Sequence, residues 1–264
     1  MGFLSELNAR LRRELDAHPP DAGALMARAL ARPPARDLVA ALRDGAGTPA
    51  VIAEVKRASP SAGAIDTDAD ASPIATAYAA GGAAAISVLT EPHHFAGSLL
   101  DLEAVRTAVA IPVLRKDFLI DPAQVIEARA FGADAVLLIA ASLPGAQLLA
   151  MLRACEDVGM AGLVETHADG DLERALEAGA AVVGVNARDL ETLAVDVDRA
   201  MRQLERVPED RIAVLESGVS TRAQARAAAE AGASAILVGE SLMRAADPAG
   251  MVRMLRGEEA TERW

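Results

Sequence analysis

The 264 residues are 52% hydrophobic, enough to bury a sizeable core, and one large domain is the economical reading of that length. A formal net charge of -12 argues against a nucleic-acid partner, whose phosphates would need clustered Lys and Arg. It does not bar a small anionic ligand held by a few local cations and backbone amides. The lone Cys155 permits no intramolecular disulfide, the charged N-terminus is no signal peptide, and no run of about eighteen apolar residues offers a membrane span, so a cytoplasmic protein is expected.

Two helical patterns open the chain, one carrying Leu4, Leu7, Leu11 and Leu15, the other running from Asp37 to Arg43, with HPP and RPP as punctuation. Residues 1–48 are too few and too poor in apolar side chains to build a core of their own, so they are expected to pack as a helical extension on the domain formed by residues 49–264. From Ala50 one unit recurs: a strand-length apolar run, a loop, an amphipathic helix pattern and often a Gly-Ala stop. The runs are AVIAEVK (50–56), AAISVLT (84–90), IPVLRKD (111–117), AVLLIAA (135–141), AGLVET (161–166), VVGVNA (182–187), RIAVLES (211–217) and AILVGE (235–240). Near-continuous apolar runs suit parallel strands buried on both faces, and stretches such as DPAQVIEARAFGA supply the crossover helices. Eight βα units in series predict an α/β fold, a single (β/α)8 TIM barrel with an N-terminal helical extension. A doubly wound open sheet is the competing architecture, but the Gly-rich turn that often follows its first strand is missing.

In such a barrel the informative residues are polar ones facing inward at the C-terminal strand ends. The period of two puts Ile52, Glu54 and Lys56 on one face of the first strand. The same spacing aligns Leu114 with Lys116, Leu163 with Glu165 and Val214 with Glu216, and the sixth strand adds Asn186. A structural ion pair would explain one such residue; six from five strands, in an interior that otherwise wants Val, Ile and Leu, favour a catalytic cluster. Of 26 basic residues only Lys56 and Lys116 are lysines, and both fall in this set, where a deprotonatable ammonium would differ from an Arg. Strands seven and eight end in Ser217-Gly218 and Gly239-Glu240, each followed by residues able to open a helix, a common place for phosphate in barrel enzymes. His93 and His94 adjoin in a Pro-containing loop with no further ligands at metal spacing, so no metal is expected. His167 either prolongs the fifth strand or belongs to a helix-capping turn.

IAEVKRASPS (52–61), SVLTE with FAGS (87–98), LRKDF (114–118), LVE (163–165), GVNARDL (184–190), ESG (216–218) and VGESLM (238–243) stand in order along the whole barrel. With them the chain resembles the indole-3-glycerol-phosphate synthase family. The resemblance implies ring closure, decarboxylation and dehydration of an anthranilate-derived ribulose phosphate, with no cofactor. It implies Lys116 as the acid that protonates the ribulose carbonyl oxygen and Glu165 as the partner carboxylate in dehydration. Glu54 and Asn186 would orient the sugar hydroxyls, Lys56 would meet the charged groups of the substrate, and Glu216 would complete the cluster. Ser59 and Arg188 are implied as further ligand contacts, Phe95, Phe118 and Leu137 as the wall around the anthranilate ring, and Ser217, Gly218, Gly239 and Glu240 as the phosphate surround. A monomer is expected, without a fused isomerase domain. Two departures stand out: Ala62-Gly63 follows SPS where many relatives have Lys-Gly, and Glu240 stands where some have Ser or Thr. A phosphoribosylanthranilate isomerase is the nearest rival, but its Cys and Asp pair has no counterpart, because Cys155 falls on a helix. A barrel that binds a phosphorylated ligand without catalysis is the rival of a different class.

Overall fold

A computed structural model describes residues 2–43 and 48–258. Its eight parallel barrel strands, numbered here in chain order, are β1 (Ala50–Val55), β2 (Ala85–Leu89), β3 (Val113–Lys116), β4 (Ala135–Ile139), β5 (Ala161–Thr166), β6 (Val182–Asn186), β7 (Ile212–Glu216) and β8 (Ala235–Val238). Each pairs with its sequence neighbours, and β1 pairs with β8, Ile52 opposite Leu237, which closes the sheet. All eight lie within the runs read from the sequence; the ends that fray, such as Arg211 and Gly239, are where the chain turns into loops.

The two faces of each strand bury against different neighbours. Ile52, Ala85, Leu114, Leu137, Leu163, Val182, Val214 and Leu237 fill the interior. Val51, Ile86, Val136, Val164, Val183 and Leu215 pack outward under the helices. Full burial of side chains of this size stabilises by about 1.5–3 kcal/mol each, so one inward register shift would forfeit the whole interior set. Several helices end as the Gly-Ala stops suggest: Gly132 (φ 96°) and Gly179 (φ 83°) take the left-handed turn that a side chain resists. Cys155 lies buried on the helix Ala146–Asp157. Burial, with Glu156 beside it, pushes its thiol up to about 12, so it is an inert packing group at neutral pH. Among the described residues no helix is long and apolar enough to cross a membrane.

Before β1 there are three helices where the sequence pattern indicates two: α1 (Phe3–Ala17), α2 (Ala22–Leu30) and α3 (Leu38–Arg43). The short, alanine-rich α2 starts where the Asp21 carboxylate accepts from Ala24 N and lies along the helix Pro122–Ala130. The segment spans the barrel from end to end. Leu38 and Leu42 of α3 are fully buried against β1, β2 and β7, and α1 lies across the opposite rim, with Asn8 Nδ2 donating to Ser142 Oγ at 2.9 Å and Arg10 Nη2 to Glu91 Oε1 at 2.7 Å. Burial works against the Glu91 carboxylate, but hydrogen bonds from His94 N and Arg10 outweigh it and hold its pKa below the usual range.

Candidate active site

The inward period of two delivers Glu54 from β1, Lys116 from β3, Glu165 from β5, Asn186 from β6 and Glu216 from β7 to one rim, and Lys56 follows the end of β1. All six line a single cavity of about 520 Å³, a size usual for small-molecule sites. Ser59, Phe95, Phe118, Leu137, Arg188, Ser217, Gly218, Gly239 and Glu240 line it too.

At its floor the Lys116 ammonium sits 3.2 Å from Glu165 Oε2 and 3.2 Å from Glu216 Oε2, while Lys56 Nζ lies 3.0 Å from Glu54 Oε1. Three carboxylates therefore share two ammoniums. Burial opposes charge on Lys116, but Glu165, Glu216 and Glu54 outweigh it and hold its pKa above the ordinary lysine value. On Glu216, 1% exposed, burial is the largest influence; Lys116 counteracts it, Glu165 and Glu54 add to it, and the carboxyl is pushed up to about 8. Burial thus favours a proton on Glu216, the Lys116 ammonium favours its ionised form, and Lys116 itself stays charged.

Asn186 links the floor to the rim. Its Nδ2 donates to Glu165 Oε1 at 2.9 Å, and its Oδ1 accepts from Arg188 N and Ser217 Oγ, each at 2.9 Å. A backbone N–H can only donate, so the amide orientation follows from Arg188 N, and every polar group of the side chain that faces the cluster is engaged. Ser217 holds φ 67° and Gly218 φ 81°, a left-handed pair that turns the chain sharply at the end of β7 and exposes backbone to the cavity. The next helix, however, begins only at Arg222, so no helix opens directly at Gly218; after β8 a short helix, Glu240–Met243, follows Gly239 at once. Gly239 has a second use: a Cβ there would run into Glu54 Oε1 and lie 3.1 Å from Lys56 Nζ, so this ion pair needs a bare backbone just after β8.

The opposite wall is apolar. Phe118 meets Phe3 at 6.0 Å and 72° and Phe95 at 6.1 Å between ring centroids. Phe3, from α1, is the lining residue that strand reasoning could not find, since nothing local says where that helix docks. Ile139 and Leu237 were within reach of the period of two, and Arg244 was not, because it lies one turn beyond the last strand. His167 leaves the strand: its backbone N–H donates to Asp171 Oδ2 at 3.1 Å in a capping turn, as the second reading had it. His94 stacks edge-on against Phe3 at 5.1 Å. Among the described residues no group of three or more His, Cys, Asp or Glu is placed to hold a metal.

The sequence model of a family described as indole-3-glycerol phosphate synthase matches residues 4–255 of this chain. The chain belongs to the indole-3-glycerol phosphate synthase family. An indole-3-glycerol phosphate synthase of Mycobacterium avium (strain 104) is 54% identical over 229 residues, 86% of this chain and 83% of the relative. The protein of that name from Mycobacterium tuberculosis (strain ATCC 25618 / H37Rv) is 53% identical over the same shares. Among solved structures, a 3-hexulose-6-phosphate synthase superposes with a TM-score of 0.65 at 21% identity, covering 79% of this chain and 98% of that one, a likeness of fold. Thiamine phosphate pyrophosphorylase from Pyrococcus furiosus gives 0.60 at 18% identity, with 84% and 96% covered. Members of this family act in tryptophan biosynthesis as carboxy-lyases. Of the two departures from the family pattern, Glu240 is explained by its partner: Arg244 Nε lies 3.1 Å from its carboxylate. That pair offsets the negative charge beside the cavity.

Proposed function

We propose that this chain converts 1-(2-carboxyphenylamino)-1-deoxyribulose 5-phosphate to indole-3-glycerol phosphate, carbon dioxide and water. The observation that carries the reading is the Lys116 ammonium held between Glu165 and Glu216 at the floor of a cavity with one aromatic wall. The ring carbon bearing the carboxylate attacks the keto carbon, and Lys116 gives its proton to the carbonyl oxygen as the new C–C bond forms. An ammonium has three N–H donors, of which Glu165 engages one, so a donor remains for that oxygen. The bond to the carboxylate then breaks, carbon dioxide departs, and its electron pair restores the aromatic ring. The new hydroxyl leaves as water with a proton from the lysine pair, while Glu165 takes a proton from the adjacent former sugar carbon. One proton is taken up overall, and it returns to Lys116 from solvent.

Glu54 and Asn186 orient the sugar hydroxyls, and Lys56 neutralises the charged groups of the substrate. The anthranilate ring rests against Phe95, Phe118 and Leu137, and the phosphate lies among Ser217, Gly218, Gly239 and Glu240, with Ser59 and Arg188 as further contacts. Glu240 contributes through its backbone, its carboxylate being engaged by Arg244. Residues 2–43 belong to the barrel as a strap, and the enzyme works as a cytoplasmic monomer, a reading whose oligomeric part light scattering tests. With this substrate the purified protein is expected to release carbon dioxide and develop indole absorbance; silence at saturating substrate would overturn the reading. Phe3→Ala, which opens the aromatic wall, is expected to raise KM about tenfold with a smaller change in kcat, the scale of one aromatic contact. An unchanged KM would remove Phe3 from the binding surface.

A further inference from the structure

Position 184 breaks the rule of the barrel interior. On β6 the residues Val182, Gly184 and Asn186 face inward, since Val183 and Val185 pack outward under the helices. Its register partners are Glu165 on β5 and Val214 on β7, and Leu163 packs in the interior beside it, where a further Val or Ile would normally fill the space. A Cβ on Gly184 would instead lie well inside van der Waals contact of Glu216 Oε1, 3.3 Å from Glu216 Cδ and 2.8 Å from Leu163 Cδ2. The Glu216 carboxylate therefore lies against bare backbone. Neither of its oxygens has a hydrogen-bond partner among the described residues, and its ion-pair partner there is the Lys116 ammonium at 3.2 Å. No donor would hold the carboxylate in place if the surface beneath it rose by a methyl group.

We infer that Gly184 is a positioning residue: by carrying no side chain it leaves the room in which Glu216 lies low enough to reach Lys116 across the barrel. The inference rests on the reading of Lys116 as the acid. Lys116 is faced by Glu54 and Lys56 from β1, Glu165 from β5, Asn186 from β6 and Glu216 from β7. Of these, Glu216 is the one that a Cβ at position 184 would meet at closest range, while Glu165 is the backbone register partner of Gly184 on β5. Lifting Glu216 removes one of the anions that keep the ammonium charged, so the Lys116 pKa falls and the basic limb of the pH profile moves to lower pH.

Wild-type turnover of the substrate comes first, because its absence sinks the functional reading and not the geometry. Given that turnover, Gly184→Ala is expected to lower kcat at least about tenfold, the scale of a displaced catalytic group, to change KM far less, and to move the basic limb of kcat/KM downward. Gly162→Ala is the control. Its Cβ would meet Leu152 Cδ2 at 2.9 Å, away from the carboxylates, so it is expected to lower Tm and leave the limb in place. Glu216→Asp withdraws the carboxylate by one methylene and makes room for the methyl. Gly184→Ala added to Glu216→Asp is therefore expected to change kcat less than about twofold, a coupling that independent sites would not show. If Gly184→Ala alone does not fold, a folded double variant that matches Glu216→Asp supports the inference equally. An unmoved limb, additive losses, or failure of the double variant to fold would each overturn it, since crowding of Leu163 would then be the whole effect.

Discussion

Lys116→Arg is expected to lower turnover by at least about a hundredfold, the usual scale of general acid catalysis, while leaving the protein folded. Charge at position 116 is needed twice. It offsets Glu165 and Glu216, both buried, and it supplies a proton to the carbonyl oxygen. Arginine keeps the first role, because a guanidinium stays protonated at every working pH, and for the same reason it cannot keep the second. Its planar fork also demands a wider seat than an ammonium 3.2 Å from two carboxylates. Steady-state kinetics beside a thermal melt separate the two roles. A normal Tm with lost kcat is the expected result; near-normal turnover would take Lys116 out of the acid's place.

Asp134→Ala is expected to cost about 3–5 kcal/mol of stability, the range found when one partner of a buried charged network is removed. The carboxylate is fully buried at the entrance to β4. It accepts from Val113 N at 2.9 Å, from Arg36 N at 2.9 Å and from Arg106 Nε at 3.2 Å. One side chain thus ties the start of β3, the link between α2 and α3, and the helix Leu99–Ala108. Truncation leaves two backbone N–H groups and a guanidinium without their acceptor, so Tm should fall on the order of 10 °C. A loss under about 1 kcal/mol would mean that water replaces the carboxylate without penalty. Turnover at low temperature should survive, because none of these atoms reaches the cavity.

Asp134 also marks where reading the chain stops. The eight strands were legible because each is a short apolar run between turn residues, and a run buried on both faces has little other use. The inward cluster was legible for a related reason: strand alternation assigns Glu54, Lys116, Glu165 and Glu216 to a face on which charge is costly without a purpose. Asp134 offered no such signal. An acidic residue ahead of a strand looks like any solvated turn, and its three donors come from positions 36, 106 and 113. Phe3 was hidden for the same cause, its place in the wall depending on how α1 crosses the rim. The glycines held a second use that no local pattern showed. Gly239 was read at a strand end suited to phosphate and Gly184 as part of a motif, and both also make space for carboxylates on other strands.

By itself the sequence determined the eight-unit repeat, the inward face of the first, third, fifth and seventh strands and the set of ionisable groups gathered at one rim. All of these follow from spacings of two and of a helical turn within single elements. Only the tertiary structure decided which carboxylate meets which lysine, where α1 and α3 seal the barrel, and which glycines must stay bare. Those outcomes rest on distances between atoms far apart along the chain. Such distances are set by the closure of the sheet and the packing of its interior, and no local pattern of residues encodes them.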